Sequence, residues 1–440
     1  MTWWMPITFG VPLLLVLFVL GIPAFVCFLL LNLIGLLALT GTAGFGMFAN
    51  SMFTTATNGT LAAVPLFILM GEIMFRSGAM KTLFDALDRL VGQIRGRQYV
   101  LCILLSAILG ALSGAAMAVA GLLGRSLFPT MVQRGYDRKM SAGTIMAGAC
   151  LDPIIPPSVL AVIVATLANV SPASMLIAGI LPGLLLMGMF LIYVLVRVWL
   201  NPGLAPDSGV DIADRNKEGT KTAAVLRMVP CVFVFFMVMG LIMLGVATPT
   251  EAAATGVFGA IVVSVYYGGL SRKMIWESAE SAATITCLLL VIMCSAVMFS
   301  QLLTYTGAAQ KLGDIVAHLA LPASLMLFIM LALPFVLELL FLDAIAIMLV
   351  LIPIYQPLLK LYGFHEIWFW TMFLVVTVVG GLTPPFGYVL FAMKSAAPDV
   401  PTTEIFSASW PFVCLICIGA LLMALYPPII TFLPGLTGPG

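Results

Sequence analysis

Residues 151–158 read LDPIIPPS, an acid and three prolines set inside a strongly apolar region. Proline inside a helix removes a hydrogen bond and clashes with the preceding turn, at about 3 kcal/mol. An ionised Asp in hydrocarbon costs roughly as much again. The chain around the octet is 62% hydrophobic and only 8% charged, whereas a soluble domain carries about 25% charged residues. Apolar runs recur along its length, and many reach the roughly 20 residues needed to span a bilayer. This is the composition of an all-α polytopic membrane protein, and the octet is a deliberate break in one of its spans. The first run, Pro6 to Leu30, follows no basic segment and leads into no cleavage site. It reads as a retained span.

Several function classes drop out. A net charge of +1 without a basic, aromatic surface gives no hold on nucleic acid. The eight cysteines lie inside apolar runs and form neither a disulfide framework nor a zinc pattern, so no transition-metal site is expected. The chain has no H-E-x-x-H, no G-x-S-x-G and no paired membrane histidines, so it does not read as an enzyme.

Basic residues set the orientation. Seventeen of the nineteen Lys and Arg fall in 76–98, 125–139, 197–227, at 272–273 and at 394. Placing these inside and counting back three spans from Arg76 puts the N-terminus outside. Residues 99–124 carry basic clusters at both ends. One ordinary span would violate the charge rule. Two half-length helices meeting at a small-residue tip, Ala111 to Ala115, satisfy it as a re-entrant hairpin, which is tolerated where protein or water surrounds the tip. A broken span over 141–166 then carries the octet. Residues 201–227, with both charge signs, Gly and Pro, read as a cytoplasmic linker.

The second half echoes the first. Pro156-Pro157 recurs as Pro384-Pro385 in GGLTPPFG. At nearly the same interval, the tip at Ser113 matches a polar break at Asp343, and Gly78 matches Gly307. The halves, 1–200 and 228–440, each read as three spans, an arm, a hairpin (99–124 and 322–357), a broken span (141–166 and 367–392) and a last span. The second half starts inside and the first outside, so the expected architecture is an inverted-topology repeat, as in secondary transporters.

Adjacent prolines leave upstream carbonyls without donors. Such carbonyls in an apolar medium need a partner, and a dehydrated Na⁺ is one. The helix end that follows offers N–H groups and a positive dipole to an anionic group. A kink without a ligand is the bland alternative; two matched breaks, each paired with a hairpin, favour a site. Among intramembrane acids, Asp343 is expected near that site. Glu72 is a candidate by default, Glu338 could equally pair within its hairpin, and Asp152 could simply cap a helix. His318 and His365 read as surface or packing residues.

With VPLFILMGEIMFRSG (64–78), IIPPS (154–158), ATPTEAAATG (247–256), LDAIAIMLVLIPI (342–354) and GGLTPPFG in place, the chain resembles the large membrane subunit of TRAP transporters, the tripartite ATP-independent periplasmic transporters. The match covers nearly the whole chain, in order. The resemblance implies an elevator-type transporter of the bacterial inner membrane with a periplasmic N-terminus. It implies Na⁺-coupled import of an organic anion, such as a C4-dicarboxylate or sialic acid. It also implies two partners, a soluble periplasmic binding protein that delivers substrate and a small four-span membrane subunit. Carried over, the first sodium and substrate half-site is Ser113, Gly114, Ala115 and Ala116 with Asp152, Pro156, Pro157 and Ser158. The second is Asp343 and Ala344 with Gly381, Thr383, Pro384 and Pro385. Two departures stand out. The family's first tip commonly reads S-G-S-S where this chain has Ser113-Gly114-Ala115-Ala116, and a Gly commonly occupies the place of Asp152. The competing reading is a stand-alone Na⁺/carboxylate symporter of similar architecture that uses no binding protein.

Overall fold

The structure is a computed structural model and describes residues 3–91, 94–206, 221–339 and 344–437. Among the described residues every regular element is helical. Low charge and few solvated loops leave the backbone to satisfy its own hydrogen bonds, which a helix does within one segment.

In chain order the first half contains α1 (Val11–Val19), α2 (Ala24–Thr40), α3 (Phe45–Ala56), α4 (Ala63–Arg76), α5 (Ala79–Leu90), α6 (Arg97–Ser113), α7 (Ala116–Gln133), α8 (Arg138–Ala149), α9 (Val159–Leu167), α10 (Pro172–Ala178) and α11 (Ile180–Leu200). The second contains α12 (Lys221–Met243), α13 (Pro249–Tyr266), α14 (Arg272–Tyr305), α15 (Ala308–His318), α16 (Ala323–Leu339), α17 (Ala344–Tyr362), α18 (Glu366–Leu382), α19 (Tyr388–Ala396), α20 (Thr402–Leu425) and α21 (Pro428–Leu436). Seven of the described helices are long and apolar enough to cross a membrane. At 1.5 Å per residue, the 34 residues of α14 extend about 51 Å, more than a bilayer core requires.

Local sequence explains the boundaries. Gly78 and Gly307 sit at φ +80° and +70°, turning the chain from a span into the amphipathic helices α5 and α15. Gly114, at φ +62°, ends α6, and two residues later α7 begins. Thr248 and Glu251 form a reciprocal capping box at the head of α13. Helix α7 runs past residue 124 to Gln133, with Arg125 on its exposed face.

Packing sorts the helices into two groups. In one, α4 packs against α13 and α14, α2 against α14, and α12 against α5 and α13. In the other, α8 is gripped by both arms of the first hairpin, α6 and α7, while α18 lies on α16. The groups meet where α4 and α5 pack on α6, where α9 crosses α4 and where α14 crosses α17. The face of α12 and α13 that carries Phe236, Phe258 and Val262 is exposed apolar surface. Such a face suits lipid or another membrane helix.

Candidate functional site

Each proline pair sits in a gap between two helices. The first gap runs from Cys150 to Ser158, between α8 and α9, and the second from Thr383 to Gly387, between α18 and α19. Pro156 and Pro157 have no N–H for the carbonyls four residues back, those of Asp152 and Pro153. Ser158 compensates in part: its hydroxyl donates to the Pro153 carbonyl at 2.7 Å and accepts from Ala161 N–H at 3.2 Å, capping α9. In the second gap, Thr383 N–H donates to Gly380 O at 3.1 Å and Gly387 N–H to Thr383 O at 3.0 Å. The Thr383 hydroxyl donates to Val379 O at 2.6 Å. Both hydroxyls spend their proton on backbone, so the oxygen lone pairs are what they could offer a cation. The peptide bond within each proline pair is cis.

Close backbone approaches hold the gaps in place. A Cβ on Gly179 would lie 2.3 Å from the Ile154 carbonyl oxygen, so α11 can pass the first gap only as glycine there. A Cβ on Gly387 would lie 2.5 Å from Gly381 O.

A cavity of about 600 Å³ opens between the two helix groups. One wall is Gly71, Glu72 and Arg76 of α4 with Ile285 and Leu289 of α14. The opposite wall is Gly114 to Met117 at the tip of the first hairpin, with Asp152, Ala344 and Tyr388. Gly114, Ala115, Ala116, Asp152 and Ala344 thus come together on one surface. Pro156, Pro157, Ser158, Gly381, Thr383, Pro384 and Pro385 do not line it. Gly381 is covered by the Tyr388 ring, 2.5 Å from where a Cβ would stand. Ser113 is the last residue of α6, and Asp343 lies outside the described residues. A second hollow, about 520 Å³, lies between Asn169 and His365 and touches none of these residues.

The carboxyl groups have definite places. Asp152 is 5% exposed and lies against Gly110 of α6, where an added Cβ would stand 2.9 Å from its own. Its Oδ1 has no hydrogen-bond partner among the described residues. Glu338, buried in α16, lies against Gly380, where a Cβ would fall 1.3 Å from Oε2. Glu72 accepts from Ser281 at 2.9 Å and pairs with Arg76 at 3.0 Å, while Arg76 also reaches Glu277 at 2.9 Å. His365 caps α18, accepting from Trp368 N–H at 3.3 Å. Among the described residues no three His, Cys, Asp or Glu side chains gather as a metal cluster. The oxygen donors lining the cavity include the Glu72 and Asp152 carboxyl groups and the Tyr388 hydroxyl, a set that suits a hard cation.

Sequence reasoning used Arg76 only as a topology marker and passed over Tyr388. Both left a signal. Arg76 stands one turn after Glu72, and Tyr388 opens the helix that follows GGLTPPFG.

Residues 11–429 match the family described as tripartite ATP-independent periplasmic transporter, DctM component. The C4-dicarboxylate TRAP transporter large permease of Pseudomonas aeruginosa is 28% identical over 394 residues, covering 89% of this chain and 90% of its own. The ectoine permease of Halomonas elongata is 27% identical, covering 95% and 96%. The sialic acid permease of Vibrio cholerae is 28% identical, covering 91% and 92%. In fold, the chain is similar to the YdaH transporter of Alcanivorax borkumensis (TM-score 0.64, 16% identity, 92% and 91% covered). It is similar too to MtrF of Neisseria gonorrhoeae (TM-score 0.62, 16% identity, 93% and 94% covered). The chain thus belongs to the DctM family of tripartite ATP-independent periplasmic transporter components, as a multi-pass membrane transport protein and not an enzyme.

Proposed function

We propose that this chain is the large membrane subunit of a Na⁺-coupled importer of organic anions, working by an elevator mechanism in the bacterial inner membrane. The observation that carries this reading is the cavity between α4 and α14 on one side and the first hairpin tip, Asp152, Ala344 and Tyr388 on the other. It brings elements of both halves to a single interface between two helix groups. A site at such an interface is exposed to opposite sides when one group slides past the other.

In this reading α6–α7 and α16–α17 are re-entrant hairpins, and they move with the broken helices α8–α9 and α18–α19. The freed carbonyls, the Ser158 and Thr383 oxygens and Asp152 hold Na⁺, with Asp343 contributing from the second half. The heads of α7 and α19 face the substrate's carboxylate. Arg76 supplies the scaffold's positive charge. Relatives named for C4-dicarboxylates and sialic acid support an organic acid as the substrate class. A soluble binding protein delivers the substrate, and a small four-span subunit covers the exposed face of α12 and α13. The N-terminus is periplasmic.

The test is uptake by proteoliposomes holding this chain and the small subunit encoded beside it. The substrate is the organic acid that thermally stabilises the neighbouring binding protein. Accumulation should need both an inward Na⁺ gradient and the binding protein. Uptake without the binding protein would point to the stand-alone symporter, and uptake without the gradient would refute Na⁺ coupling.

A further inference from the structure

The two halves carry an exchanged pair of residues. Gly110 in the first half corresponds to Glu338 in the second, and Asp152 corresponds to Gly380, both at the interval that separates Pro156 from Pro384. In the first half the hairpin arm α6 contributes the glycine and the gap after α8 contributes the acid. In the second half the hairpin arm α16 contributes the acid and α18 the glycine. Each acid lies on its glycine. A Cβ at 110 would stand 2.9 Å from Asp152 Cβ and 3.2 Å from its Cα, and one at 380 would stand 1.3 Å from Glu338 Oε2.

Both seams are tight and buried. Asp152 and Glu338 are 5% and 7% exposed, and α6 packs on α8 as α16 packs on α18. A buried carboxyl group is costly to keep. Keeping one in each half, on opposite elements but at the same seam, indicates that the seam needs the group and not the position in the chain.

We propose that Asp152 and Glu338 are one positioning device used twice: each half of the transporter requires a single carboxyl group and a facing glycine at the seam between hairpin arm and broken helix, to hold the arm beside the cation site. In the first half the hold is the seating of Asp152 on Gly110, one turn before Gly114 at the tip, whose N–H donates to the Gly110 carbonyl at 2.8 Å. The Asp152 Oδ1, without a hydrogen-bond partner among the described residues, can supply a negative oxygen to a bound cation where the tip lacks side-chain hydroxyls at 115 and 116. The cation half of this statement rests on the Na⁺ reading above; the seam itself does not.

The test uses the purified full-length chain and Na⁺ alone as probe. Melting temperatures are read across NaCl titrations, with KCl holding ionic strength constant, because a ligand that binds only the folded state raises stability with its concentration. In KCl alone, Asp152→Gly and Gly110→Glu should each lower the melting temperature. The double variant, which gives the first half the arrangement of the second, should recover about half or more of the loss. Glu338→Gly with Gly380→Asp is the mirror test. The proposal is overturned if neither double variant melts above its worse single parent. Asp152→Asn keeps the size and the acceptor oxygen, so it should melt near wild type in KCl and need about tenfold more Na⁺ for the same stabilisation. An Asn variant with wild-type Na⁺ dependence would refute the role of the charge. A wild-type chain that Na⁺ stabilises no more than K⁺ would sink the Na⁺ reading, and with it the cation-site purpose assigned to the device. The KCl series would still decide the seam.

Discussion

Gly179→Ala should destabilise the protein, while the same change further along the chain, Gly188→Ala, should not. Both glycines are on or beside α11. Gly179 has helical backbone angles, φ −72° and ψ −17°, that alanine accepts without strain. Only contact separates the two sites. At 188 nothing lies within 4 Å of the new methyl, so the variant gains up to about 1 kcal/mol of helix propensity. At 179 the methyl would lie 2.3 Å from the Ile154 carbonyl oxygen, and ordinary contact begins near 3.4 Å. One backbone must therefore move by about 1 Å, and the Ile154 carbonyl belongs to the first gap, ahead of Pro156. Overpacking of this kind costs about 1–3 kcal/mol. The two variants should differ by about 2–3 kcal/mol, or a few degrees in apparent melting temperature for a chain of this length. Fluorescence-detected unfolding of the detergent-solubilised protein reads this directly. If Gly179→Ala melts at or above Gly188→Ala, the close packing of the octet on α11 is wrong, and with it the rigid first gap.

Three further outcomes are expected. Ser158→Ala removes the cap of α9 and the donor to the Pro153 carbonyl, which should cost about 2–3 kcal/mol, seen as a lower melting temperature. Arg76→Gln breaks a half-exposed pair with Glu72 and Glu277, a loss of about 0.2–1 kcal/mol in stability. Because Arg76 lines the cavity, its removal should nonetheless raise the KM for the anion severalfold in proteoliposome uptake. Thr248→Ala opens the capping box of α13 and should cost about 1 kcal/mol in thermal unfolding, leaving KM unchanged because the box is remote from the cavity.

Much of this was written in the sequence because glycine, proline and charge act locally. The proline pairs marked gaps that the helices respect, and Gly78, Gly114 and Gly307 marked turns that only positive φ can make. The end of α7 was not legible: Arg125 looks like a boundary, but it lies on an exposed face and the helix runs on to Gln133. Contacts across the fold were hidden for a different reason. The exposure of Gly179 to a carbonyl and the seating of Glu338 on Gly380 join segments tens of residues apart, and no local pattern encodes them. The role of Asp152 belongs to the same class. The residue sits on Gly110 of α6, forty-two residues earlier in the chain, which periodicity along its own segment cannot reveal. Arg76 and Tyr388 were visible as residues, but only the fold brings them to one cavity.

Transport by sliding requires the cavity to be a moving interface between two helix groups. Ile285 of α14 and Met117 at the hairpin tip line its opposite walls. With the eight native cysteines replaced, a cysteine at each of these positions can be joined by a reducible cross-linker. Uptake driven by a Na⁺ gradient is then measured before linking, after linking and after reduction. Linking should stop uptake, and reduction should restore it. Uptake by the linked protein at the unlinked rate would contradict a sliding interface.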